Sequence, residues 1–82
     1  MFFSKPTIRD IRYKLDGLVD DFDRSDLHMV ISDIRAITKD PGCSSARAGY
    51  LNDLIRELDR CESGTELSGT KYYKYLDKAE MS

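Results

Sequence analysis

Between Ile8 and Phe22 the apolar residues Ile8, Ile11, Leu15, Leu18 and Phe22 fall at intervals of three, four, three and four. That period puts them on one face of an α-helix and is incompatible with strand alternation. The spacing predicts a helix over about Ile8–Asp23, with Val19 widening the stripe. Thr7 is a suitable N-cap, and Asp10 stands three residues on, where a carboxylate favours the helix start. Phe2 and Phe3 lie just upstream, placed to fold back over the stripe as a staple.

Asp23-Arg24-Ser25 reads as a tight turn, with Ser25 capping a second helix over about Asp26–Thr38. Its stripe is Leu27, Val30, Ile31, Ile34 and Ile37. Pro41, in Lys39-Asp40-Pro41-Gly42-Cys43, stops it, because proline donates no hydrogen bond and disfavours helix at the residue before it. Ser44 or Ser45 then caps a third helix over about Ala46–Glu62, with the stripe Tyr50, Leu51, Leu54, Ile55, Leu58 and Cys61. Ser63-Gly64 is expected to end it. Residues 63–70 read as a flexible connector. Thr70 caps a short last helix to about Glu80, in which Tyr72, Tyr75, Leu76 and Ala79 share a face. The expected fold is all-α: an antiparallel three-helix bundle over residues 1–64, then a connector and a short C-terminal fourth helix over 65–82, in one domain. The fourth helix either packs across the bundle or reaches a partner.

Composition narrows the function. The chain has 82 residues, 40% of them hydrophobic and 34% charged, which is too apolar for a disordered tail. A domain of this size buries only about two-thirds of its unfolded surface, leaving little room for a deep enzyme pocket. Thirteen Lys+Arg against fifteen Asp+Glu give a formal net charge of −2, so the chain is not built chiefly to neutralise phosphates. There is no apolar run of membrane-spanning length, and Met1-Phe2-Phe3-Ser4-Lys5-Pro6 lacks the pattern of a secretory signal. Cys43 and Cys61, the only cysteines, read as reduced thiols. A cytoplasmic location is the default expectation.

The inventory of reactive groups is sparse. His28, the only histidine, lies at the edge of the second stripe, and no third group orients it against Cys43 or Cys61. There is no Cys-x-x-Cys and no histidine pair for zinc. Asp21, Asp23 and Ser25 fit positions 1, 3 and 5 of a calcium loop, but Asp26 stands where glycine is needed and Ser32 where glutamate is needed. No glycine-rich phosphate cradle appears. The expectation is a protein that is not an enzyme and uses no cofactor or metal.

Three features exceed what a plain helical core requires. Tyr13 and Gly17 lie opposite the first apolar stripe, on a face that Asp20 and Arg24 continue. A mid-helix glycine costs about 1 kcal/mol relative to alanine, which a close-packed partner would explain. Met29, Ser32 and Ala36 form a second, weakly polar face on the second helix. That face makes it either the central helix of the bundle or a homodimer contact, which would add burial that a small domain lacks. Arg47 falls within the third stripe, where it either snorkels out of the bundle end or pairs with an acidic group. Of Tyr72, Tyr73 and Tyr75, at least one is expected to be exposed, and the pattern favours Tyr73.

The leading expectation is therefore a non-enzymatic protein-interaction module, a regulator, adaptor or inhibitor, binding its partner through Tyr13, Gly17, Asp20, Arg24 and Tyr73. The alternative is a nucleic-acid-binding regulator using Lys5, Arg9 and Arg12 with Lys71 and Lys74 of the Lys/Tyr-rich C-terminus. Against it, Arg9, Arg12 and Lys14 spread round their helix at about 100°, 40° and 240° from Ile8. The charges of the third helix (Asp53, Arg56, Glu57, Asp59, Arg60, Glu62) pair at helical spacing as a solvated face.

Overall fold

The computed structural model describes residues 6–67 and 70–82. It is all-helical: α1 (Ile8–Asp20), α2 (Arg24–Lys39), α3 (Ser45–Asp59), α4 (Gly64–Leu67) and α5 (Thr70–Met81). Phe2, Phe3 and Lys5 lie outside the described residues, as does the Thr70 side chain expected to cap α5. No helix among the described residues is long and apolar enough to cross a membrane.

The caps decide the helix boundaries. Thr7 and Asp10 form a reciprocal capping box: the Thr7 hydroxyl accepts from the Asp10 N–H and the Asp10 carboxylate from the Thr7 N–H. The first helix ends at Asp20, three residues short of expectation, because Asp23 is used to start the next one. The Asp23 carboxylate accepts from the Ser25 N–H at 2.7 Å and the Asp26 N–H at 3.4 Å, so Ser25 lies inside α2 instead of capping it. Ser44, not Ser45, caps α3 by accepting from the Arg47 N–H at 3.1 Å.

The largest departure is beyond α3, which stops at Asp59, not Glu62. Gly64 does not terminate it; it opens α4 inside the segment expected to be a flexible connector. The Ser63 hydroxyl accepts from the Glu66 N–H, the Glu66 carboxylate accepts from the Glu62 N–H, and Leu67 is buried against α1. A four-residue helix carries too few side chains to show a period, which is why the pattern missed it.

Packing joins α1 to α2 and α5, and α3 to the same two helices. The polar links give their directions. As α3 runs from Ser44 through Arg47 and Tyr50 to Glu57, its partners on α5 run back through Ser82, Ala79, Lys78 and Lys71. Arg12 and Asp16 of α1 likewise meet Asp77 and Tyr73 of α5. Neighbouring helices are thus antiparallel, and α5 completes the bundle as a full member.

The core holds most of the expected stripe residues, Tyr72, Leu76 and Ala79 among them, together with Leu67, whereas Val19, Phe22, Ile37, Tyr50 and Tyr75 are only partly buried against it. Met29, Ser32 and Ala36 are all exposed. The central-helix reading of α2 therefore fails; that helix is apolar on two sides but buries one. Arg47 neither escapes into solvent nor meets a carboxylate. Its Nε donates to the Ala79 carbonyl at 3.0 Å, satisfying a carbonyl of the last turn of α5.

Candidate protein-interaction face

The outer side of the α1–α2 hairpin collects residues from two separate expectations. An open groove of about 320 Å³ runs between the helices. Its floor is formed by the buried Leu18 and Val30, and Gly17 leaves one wall without a side chain. A Cβ built on Gly17 meets nothing within 4 Å, so intramolecular packing does not require glycine there. Met29, 62% exposed, and Lys14 form the rims. Tyr13, 81% exposed, stands one helical turn before Gly17 on α1. Met29 is thus a large apolar group left in water at the rim of the cleft, and Tyr13 is another, one turn away from Gly17 along α1.

One mouth of the groove is acidic, with Asp21 and Asp26 lining it; Asp20 precedes Asp21 in sequence, and the Asp23 carboxylate is taken up in capping α2. In the segment 20–26 four aspartates face a single cation, Arg24. The last turn of α1 holds no basic residue, so its carboxylates stand at the negative end of the helix dipole. Among the described residues the side-chain ion pairs join Arg12 to Asp77, Lys14 to Asp33, Arg56 to Asp53 and Lys71 to Glu57; none engages Asp20, Asp21 or Asp26.

The other sequence candidates divide. Gly17, Asp20 and Arg24 are exposed with Tyr13. Tyr73 is half-buried, contrary to the expectation of exposure. Its hydroxyl donates to the Asp16 carboxylate at 2.6 Å, clasping α5 to α1. Burial, then that bond to Asp16, pushes the Tyr73 phenol up to about 12. Tyr72 is buried and is also pushed up to about 12, by burial first and then by the neighbouring Cys61 thiol. Of the basic residues, Arg9 and Lys74 are exposed, whereas Arg12 and Lys71 are engaged in ion pairs. The hydrogen bond to Asp77 raises the Arg12 guanidinium further. Arg9 lies at the start of α1 and Lys71 beside Glu57 near the end of α3, at opposite ends of the bundle, so these cations do not form one patch.

A second, wider cleft of about 790 Å³ opens at the far end, where α1 and α3 begin and α2 and α5 finish. Arg9, Lys39 and Arg47 line it together with Asp40 and Glu80, so cations and carboxylates largely offset each other, and Arg47 is committed to Ala79. Cys43 lies in this cleft, whereas His28 is exposed near the other end of α2, about 16 Å away along the helix axis at 1.5 Å per residue. Cys61 is fully buried, with its Sγ donating to the Ser63 carbonyl. Among the described residues no cluster of His, Cys, Asp or Glu is arranged to hold a metal ion. Of the calcium-loop register, Asp23 caps α2.

No protein-family model matches the chain, and neither a curated protein nor a solved structure matches it.

Proposed function

We propose that the chain is a non-enzymatic protein-interaction module, a regulator, adaptor or inhibitor, that docks a protein partner on the outer face of α1 and α2. The supporting observation is Met29, exposed at the rim of a groove whose wall is opened by Gly17, with the exposed Tyr13 one helical turn before Gly17 on α1. Exposed large apolar groups flanking a concave, apolar-floored feature have the anatomy of an interface core with a polar rim. Gly17 fits this reading because neither its backbone nor its neighbours call for glycine. Of the sequence candidates Gly17 lines the groove and Tyr13 stands one turn from it; Asp20 is exposed at the end of α1, Arg24 is exposed at the start of α2 and so does not continue the α1 face, Met29 joins the groove, and Tyr73 ties α5 to α1 through Asp16.

The test is affinity capture from the source cell with nuclease present, comparing the wild type with the Tyr13→Ala/Met29→Ser variant. The expected result is a protein captured in near-stoichiometric amount by the wild type and lost with the variant, whose melting temperature is unchanged. Capture that is equal for both proteins, or that disappears with nuclease, overturns the proposal.

A further inference from the structure

We infer that the occupant of the α1–α2 groove is a basic, amphipathic helical segment of another protein. It seats an apolar side chain over Gly17 and sets its lysines or arginines against Asp20, Asp21 and Asp26. This inference rests on the reading of the face as a docking surface and adds the chemistry of what docks.

The shape supplies the first half of the argument. At about 320 Å³ the groove is roughly twice the size of a cavity of about 150 Å³ that accepts benzene. It thus has room for a leucine- or phenylalanine-sized group above Leu18 and Val30. It lies between two antiparallel helices, and a third helix laid along such a groove presents one apolar side chain per turn to it. Tyr13 and Met29 then cover the flanks of that helix.

Charge supplies the second half. Asp20 ends α1 and Asp21 follows it, at the negative end of the helix dipole, where a carboxylate is disfavoured in the free protein. Asp26 crowds the same mouth from α2. A cationic segment relieves this repulsion on binding, and an acidic one increases it. A second copy of this chain is a poor occupant for the same reason. A two-fold interface brings each patch against its own counterpart, which offers the aspartates no excess of cations.

The experiment titrates isotope-labelled full-length protein with two synthetic amphipathic helical peptides, read by amide chemical shifts at low ionic strength. One peptide is built of leucine and lysine; its counterpart carries glutamate at every lysine position. The expected result is saturable shifts at Gly17, Leu18, Met29 and Val30 with the lysine peptide and none with the glutamate peptide. Gly17→Leu, which fills open space and leaves the melting temperature at or above that of the wild type, should weaken binding tenfold or more. Asp20→Asn/Asp21→Asn should weaken it severalfold and flatten its salt dependence.

Groove shifts with the glutamate peptide overturn the basic chemistry while leaving the docking face in place. Lysine-peptide shifts spread equally over Asp59, Glu62 and Glu66, and indifferent to Gly17→Leu, reduce the effect to charge and overturn the groove. Groove shifts that grow with protein concentration in the absence of peptide make a second copy the occupant, and overturn the inference. Failure of the interaction reading itself is separate, since it shows as capture insensitive to Tyr13→Ala/Met29→Ser.

Discussion

Gly64 is pressed against the backbone of Val19: a Cβ on it would stand 2.5 Å from the Val19 carbonyl oxygen and 3.0 Å from that of Leu18. The start of α4 thus lies directly on the last turns of α1, where backbone has little freedom to retreat. Gly64→Ala is expected to destabilise the fold by about 1–3 kcal/mol, the range of overpacking substitutions. The check is a chemical-denaturation midpoint, with Gly42→Ala as the comparison. There a Cβ would meet the Asp40 carboxylate at 3.3 Å, a side-chain contact and a milder one than the backbone contact at Gly64.

Arg47 ties the opposite end of the bundle. Its Nε donates to Ala79, and the Ser44 hydroxyl donates to the Ser82 carbonyl at 3.2 Å, so the first turn of α3 holds the final carbonyls of α5. Arg47→Met keeps the aliphatic stem and removes the donor. The expected loss is about 1.5 kcal/mol, the lower end for a hydrogen bond to a charged group. It should appear as faster amide exchange confined to the last turn of α5. Uniform acceleration across the bundle would mean that Arg47 acts through the core instead.

The three long helices were legible because each buries a stripe long enough to show its period: Ile8 to Leu18, Leu27 to Ile34, Leu51 to Leu58. Two kinds of feature were not. Asp23 and Ser25 are both good caps, and local sequence does not say which is chosen; the choice moves the ends of two helices. Gly64 and Leu67 form a single turn whose reason to exist is the backbone of α1, a contact distant in sequence. The face itself was half legible. Tyr13 and Gly17 stand out as residues the core does not need, and Met29 stands out on α2. That Gly17 and Met29 border one groove depends on how α1 crosses α2. Tyr73 was misjudged because its apolar ring pattern does not reveal that Asp16 of α1 lies within reach of its hydroxyl.

Alkaline pH should loosen the α5 contacts. Tyr72 and Tyr73 keep their protons up to about 12 in the folded protein, against about 10 for a free phenol. Between these values the folded state binds more protons than the unfolded state, so stability is full below about pH 10 and falls as pH rises toward 12. Tyr73→Phe removes one of the two groups and should make that fall shallower, with little change in stability at neutral pH, where the bond to Asp16 is partly exposed. Denaturation midpoints measured from pH 8 to 12 check the slope. An unchanged slope in the variant would mean that Tyr73 does not contribute to it.

Gly17 sets stability against docking. It lies in the interior of α1, where glycine is less favourable than alanine by about 1 kcal/mol, and a methyl group there meets no neighbour. Gly17→Ala should therefore raise the melting temperature by about 4–8 °C, as 1 kcal/mol does for a domain of this size. The same methyl group narrows the groove above Leu18 and Val30, so it should weaken capture of the partner while the protein becomes more stable. A destabilised variant, a common way to lose binding, is excluded by the sign of the first effect. If Gly17→Ala is more stable and binds as well as the wild type, glycine is not retained for a partner and the groove is not where one docks. If it binds less well, a residue that costs the free protein stability is explained by what it admits.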